Sequence, residues 1–208
     1  MRAQPFGDSA VLIELEQRID DGIVAQARAL ADAWERAGHG TAVPAYASVL
    51  ARFDPLALPP EDALARARAL ASGTPNTSPE PAGRLIEVPT VYDGPDLDEI
   101  ASLSGLSRSA LIAAHSSRTH TAFFLGFMPG FAYCGPLDPR IRAPRLAAPR
   151  ARVPAGSVAV ADGQTAVYPL DSPGGWRLIG RTELAVFDPS REPPALIAAG
   201  DRLRFVPR

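Results

Sequence analysis

FLGFMPGFAYCGPLDPRIRAPRLAAPRARVPAGSVAVADGQTAVYPLDSPGGWRLIGRT, residues 124–182, reads as short apolar runs cut by Pro-Gly and Gly-Gly turns. With the flanking sequence it predicts strands over 152–160, 165–170, 183–187 and 203–206. Many short strands at close spacing argue for a barrel or sandwich, because each strand is half-buried and must turn back on its neighbour. Pro129-Gly130 suits the two central positions of a type II turn, since proline presets φ and glycine accepts a positive one. Phe124, Phe127, Phe131 and Tyr133 surround that turn, and a loop this apolar has to be covered by something.

Upstream, residues 84–91 read as a strand. Residues 99–115 then form a helical pair, with Asp96-Leu97-Asp98-Glu99 resembling a capping-box start and Ser107 capping the second helix. The pair has the spacing of a helix-turn-helix. Its second helix, however, offers only Arg108, Ser109 and His115 to a nucleic acid, on a chain of net charge −2. Residues 73–83, GTPNTSPEPAG, carry almost nothing to bury and read as a linker where proteolysis should begin. Before it the pattern is β-α-β-α: a strand over 10–15, a helix capped at Asp20 or Asp21 with Ile23, Ala27, Leu30 and Trp34 on one face, a strand over 46–53, and a helix over 63–71 opened by Pro59-Pro60. The expected class is α+β: an α/β sandwich over 1–72, a linker over 73–83 and a β-barrel domain over 84–208.

Composition removes several chemistries. All 21 basic residues are arginine, so neither a Walker-type phosphate loop nor Schiff-base catalysis is available. Cys134 is the single cysteine, which leaves no internal disulfide; with His39, His115 and His120 scattered, no metal site is expected. The N-terminus lacks a signal-peptide core, and the longest uncharged run, 121–137, is too short and too broken to span a bilayer. The expected setting is cytoplasmic.

Candidate site residues cluster in the quoted stretch. Gln164 offers both an amide donor and an acceptor, matching an amide substrate edge, and Thr165 and Ser157 add hydroxyls. Arg152 and Arg181 could clamp a carboxylate through paired hydrogen bonds. The turns bearing Pro129, Gly130, Gly174 and Gly175, with Phe127, Phe131 and Trp176, are the expected pocket or interface. No nucleophile–base pair can be assigned, so the catalytic residues stay open.

These motifs, GFMPGF, RVPAGSV, GQT and SPGGWRLIGRT, closely resemble the allophanate hydrolase subunit 1 family, which includes the B subunit of bacterial 5-oxoprolinase and the KipI kinase inhibitors. The likeness runs nearly end to end, from Phe6-Gly7-Asp8-Ser9-Ala10 to Gly200-Asp201-Arg202-Leu203. It implies a cyclophilin-like barrel for the second domain. It also implies two partners, a companion subunit 2 of the 5-oxoprolinase C type and a third of the A type. With them comes ATP-dependent opening of 5-oxo-L-proline to L-glutamate by the assembly. The ATP would not be bound through a Walker motif here. The family also allows a KipI-like inhibitor of a sensor histidine kinase, or a component of an allophanate- or urea-type hydrolase or carboxylase. Departures are Ala132, Cys134 and Pro136 after the first motif, Asp162 where glycine is usual, and a short loop at Tyr92-Asp93-Gly94-Pro95.

Overall fold

In a computed structural model, residues 1–18, 20–73 and 83–208 are described, and the chain divides into two compact units, Met1–Pro81 and Ala82–Arg208. The expected linker therefore lies, apart from its end glycines, outside the described residues.

The first unit is a two-layer α/β sandwich. Its antiparallel sheet has the order β1 (Arg2–Pro5), β2 (Ala10–Glu14), β4 (Ser48–Arg52), β3 (Ala42–Pro44), with α1 (Asp21–Arg36) and α2 (Pro60–Gly73) packed on it. Asp20 caps α1, its carboxylate accepting from the Gly22 and Ile23 amides. Ile23, Ala27, Leu30 and Trp34 are all buried, as the 3.6-residue spacing required. Trp34 is fully buried, and its indole N–H donates to the Arg52 carbonyl at 2.9 Å, which satisfies its one polar atom. Two edge strands, β1 and β3, were not anticipated. They are three or four residues long and contain proline, so they carry little apolar alternation to read.

The second unit is a nearly closed barrel. Its sheet order is β12 (Arg177–Arg181), β9 (Ser157–Ala161), β10 (Gln164–Val167), β7 (Ala132–Gly135), β6 (Thr119–Leu125), β13 (Arg202–Pro207), β5 (Leu85–Thr90). A separate pair, β8 (Arg150–Val153) with β11 (Ser172–Gly174), lies beside it in the topology. Val91 and Arg181 exchange two backbone hydrogen bonds of 2.9 Å, and Asp96 N–H reaches the Leu178 carbonyl at 3.0 Å, so the ends of the sheet meet. The expected sandwich-then-barrel class is what forms.

Local expectations fare unevenly. Residues 152–160 are two strands split by the Pro154-Ala155-Gly156 turn. Residues 183–187 form no strand beyond a bridge from Phe187 to Ala195. The turn between β9 and β10 holds Asp162 at φ 54°, the left-handed region that aspartate tolerates better than most residues where glycine is usual.

Helices α3 (Leu97–Ser104) and α4 (Arg108–Ser116) pack on the barrel. Ser107 caps α4 as expected, accepting from Ala110 N–H. Asp96 does not cap α3; its carboxylate is drawn instead to Arg150 and to the Leu178 amide. Nor does α4 present its polar groups outward. His115 is fully buried, and Arg108 donates to the Tyr92 carbonyl.

His115 Nε2 lies 2.8 Å from Thr165 Oγ1, which itself donates to the Ala159 carbonyl at 3.1 Å. Thr165 has one proton and has spent it, so His115 Nε2 is the donor and its Nδ1 accepts from the Tyr92 hydroxyl at 2.7 Å. His120 faces the His115 and Pro136 carbonyls. Burial holds both imidazoles below their ordinary value, and the neighbouring His120 lowers His115 further. Below the unfolded value of 6.5 the unfolded chain takes up protons that the fold refuses, so stability is full above that pH and is lost as pH falls beneath it. We expect chemical denaturation to show a loss of about 1.4 kcal/mol per pH unit per histidine as pH falls below about 6.5. Stability that is flat across that window would show that the rings are not buried as neutral groups.

Candidate functional site

The hairpin of β6 and β7 turns through residues 126–131. Phe131 N–H donates to the Met128 carbonyl at 3.1 Å with Gly130 at φ 79°, which is the type II geometry expected for Pro129-Gly130. The sheet then decides which side chains meet. Along β10, Thr165 and Val167 point into the barrel core, whereas Ala166 joins Ala159, Ala161, Tyr168, Phe131, Trp176 and Leu178 in a second cluster on the other face. On that second face sits a cavity of about 270 Å³, walled by Phe127, Phe131, Tyr133, Tyr168 and Trp176, with Gly174, Gly175 and Arg145 at its margins.

Its walls are mutually ordered. Phe131 meets Tyr168, Tyr133 and Trp176 edge to face at centroid distances of 5.3, 5.0 and 5.5 Å. Gly174 is required by Tyr168. A Cβ on Gly174 would fall 2.3 Å from the phenol oxygen, so alanine there must displace the ring. Burial raises the Tyr168 phenol above its ordinary value, with a backbone hydrogen bond from Trp176 partly offsetting it. Tyr133 is also raised by burial, so both phenols keep their protons at neutral pH. Among the described residues Arg145 supplies the cavity's one positive charge, with Cζ 5.9 Å from the Trp176 ring centroid and a loose 3.7 Å pairing to Asp162.

The expected site residues divide. Phe127, Phe131, Gly174, Gly175 and Trp176 line this cavity together. Gly130 and Pro129 shape the hairpin beneath it; Gly130 packs on Phe187, whose Cβ would lie 2.7 Å from a Cβ there. Gln164 has the parity of Ala166 and Tyr168 and is only 6% exposed, with its amide nitrogen unpartnered, but it is not among the lining residues. Thr165 points into the core to His115. Ser157 is buried in β9 opposite Arg181.

The two arginine candidates lie elsewhere. Arg181 pairs with Asp93 at 2.9 Å and lines a different cavity, of about 310 Å³, with Pro89, Val91 and Leu184. Arg152 is spent on Asp171 at 2.6 Å, and Asp171 also accepts from Ala155 N–H, so this pair braces two turns. Sequence proximity suggested one pocket; strand parity and these acidic partners separate the arginines from the aromatics. Arg145 was missed because it stands in a proline-rich stretch, 139–149, with no periodicity to orient it. The Tyr92–His115–Thr165 chain was missed as well, since its members lie 23 and 50 residues apart. It has the form of a base beside a hydroxyl, but both His115 and Thr165 are 0% exposed, so it braces the core. Burial also pushes the Cys134 thiol far up, leaving it unreactive.

Among the described residues there is no His/Cys/Asp/Glu cluster fit for a metal, and no helix long and apolar enough to cross a membrane.

The family described as carboxyltransferase domain, subdomain C and D, matches residues 1–197. The B subunit of 5-oxoprolinase from Bacillus subtilis is 36% identical over 223 residues, covering 98% of this chain and 91% of that protein. Its counterpart from Escherichia coli O157:H7 is 48% identical over 132 residues, 62% of this chain, and the match spans 61% of that protein. Among solved structures, a conserved uncharacterized protein from Pyrococcus horikoshii is 40% identical with a TM-score of 0.59, covering 100% of this chain and 97% of that one. Urea carboxylase from Kluyveromyces lactis, at 22% identity and a TM-score of 0.77, covers 99% of this chain and 21% of that one, and shares the fold.

Proposed function

This chain belongs to the allophanate hydrolase subunit 1 family, which holds the 5-oxoprolinase B subunits and the C and D subdomains of carboxyltransferases, and from that membership we propose that it is the B subunit of an ATP-dependent 5-oxoprolinase. The assembly would open the lactam of 5-oxo-L-proline to L-glutamate. The observation that carries the reading at the level of the site is an aromatic cavity with one guanidinium, Arg145. Its volume of about 270 Å³ suits a compact ring, and its single cation suits a ligand with one carboxylate. The aromatic walls take the ring's faces, Arg145 takes the carboxylate, and the protonated Tyr133 and Tyr168 phenols are positioned donors for a lactam oxygen. As negative charge grows on that oxygen during ring opening, such donors strengthen in a water-poor site.

ATP does not fit the residues of this cavity. A triphosphate calls for several cations or a cradle of backbone amides, and one arginine is present among the described lining residues. We therefore place the nucleotide and its chemistry on companions of the C and A types. Gln164, with a buried and unpartnered amide nitrogen on the same sheet face, stays a candidate for the substrate's amide edge.

The test is reconstitution. The chain alone should produce no glutamate, and glutamate should form from 5-oxo-L-proline and ATP only when the companions are added. Full activity of the companions without this chain would end the reading. Suppression of a sensor kinase's autophosphorylation by this chain alone would replace it with the inhibitor reading.

A further inference from the structure

The most exposed ring of the cavity is also the one on the most strained backbone. Phe127 is 62% exposed, yet it sits at φ 70°, a left-handed angle that is an outlier for a bulky side chain. The cause is local. Met128 N–H donates to the Gly126 carbonyl at 2.8 Å, two residues back, so Phe127 is the centre of a γ-turn of the rare positive-φ form. A glycine would occupy that angle freely, and a surface phenylalanine contributes little to folding, so the sequence holds a costly residue where a cheap one would serve the turn.

What the strain achieves is orientation. The γ-turn runs directly into the type II turn at Pro129-Gly130, and Gly126 N–H closes the loop onto the Phe131 carbonyl at 3.1 Å. Pinned at both ends, the loop sets the Phe127 ring edge-on to Phe131, at 5.4 Å and 84°, as part of the cavity wall. The other aromatic walls are buried or half-buried: Phe131 and Tyr168 are 1% exposed, and Trp176 is 5%. Phe127 is thus the wall with most surface left to bury against a ligand.

We propose that Phe127 is the specificity-determining lip of the cavity, closing on the uncharged face of a small lactam ring and disfavouring the ring-opened amino acid. This inference rests on the cavity being the substrate site. A lactam carboxylate brings one charge, which Arg145 meets, and an apolar ring face, which Phe127 covers. The opened product brings an ammonium and a second carboxylate, which an apolar lip would strip of water with no partner in return. The lip therefore favours holding the lactam and letting the product go.

The described lining residues all belong to this chain, so the chain by itself is the object to titrate, with Trp176 fluorescence as the signal. The probes are 5-oxo-L-proline and L-glutamate, and the variants are Phe127→Gly and Phe127→Leu. The wild type should bind the lactam at least about tenfold more tightly than glutamate. Phe127→Gly should weaken lactam binding about tenfold, leave glutamate within about twofold, and keep or raise the thermal midpoint, because the strained angle suits glycine. Phe127→Leu, apolar without a flat face, should fall between. A lactam preference that survives in Phe127→Gly overturns the lip while leaving the cavity as the site. A lower midpoint in Phe127→Gly overturns the strain argument on which the lip stands. Wild-type chain that binds neither probe sinks the cavity itself, and the lip with it.

Discussion

Arg145→Ala is expected to lower the assembled enzyme's kcat/KM for 5-oxo-L-proline by about tenfold to a thousandfold while the barrel stays folded. The scale is that of losing about 1.5–4 kcal/mol of hydrogen bonding to a charged or reacting group. Among the described residues Arg145 is the only cation lining the aromatic cavity, and its pairing with Asp162 is loose at 3.7 Å, so it is available to a ligand. Its planar guanidinium near Trp176 can present two parallel donors to a carboxylate, which lysine cannot. Arg145→Lys should accordingly recover only part of the loss. Arg181→Ala and Arg152→Ala serve as comparisons, because their partners are Asp93 and Asp171. Arg36→Ala, on the exposed end of α1, is the blank. Full activity in Arg145→Ala would remove the carboxylate clamp. A loss in Arg181→Ala as large as that in Arg145→Ala would move the site to the second cavity.

The largest stability effect should come from Asp96, about 3–5 kcal/mol on replacement by alanine. Asp96 is only 5% exposed, and its carboxylate accepts from Arg150 Nη2 and from Leu178 N–H, each at 2.6 Å. Alanine would leave a partly buried guanidinium and a buried amide without an acceptor, and desolvation of both then goes uncompensated. The damage should reach the cavity too, since Arg150 also donates to the Trp176 carbonyl at 3.3 Å. Urea unfolding measures the first effect and Trp176 emission the second. Asp96→Asn keeps an acceptor and should cost about half as much. A cost under about 1 kcal/mol for the alanine variant would mean that water reaches Arg150 and Leu178 readily.

How much of this was readable beforehand depended on how local each cause is. Helix α1 was readable because its cap and its apolar stripe lie within one short window of chain. The Pro129-Gly130 turn was readable because two adjacent residues set its dihedrals. The aromatic wall was anticipated as a set, because Phe127, Phe131 and Trp176 cluster beside glycine turns. Asp96 was misread as a helix cap, because the residues that outbid the α3 amides are 54 and 82 positions away.

By itself, then, the sequence determined the sandwich-then-barrel class, the family, and the absence of any lysine chemistry. It did so because periodicity, turn residues and composition are properties of short windows. Tertiary structure alone decided which arginine faces the aromatics and which hydroxyl meets a histidine. Strand pairing sends alternate residues to opposite faces, so Gln164 and Thr165, adjacent in the chain, end on different sides of one sheet. Partners brought together by barrel closure then claim the charges: Asp93 takes Arg181, Asp171 takes Arg152, and Arg145 is left facing the cavity.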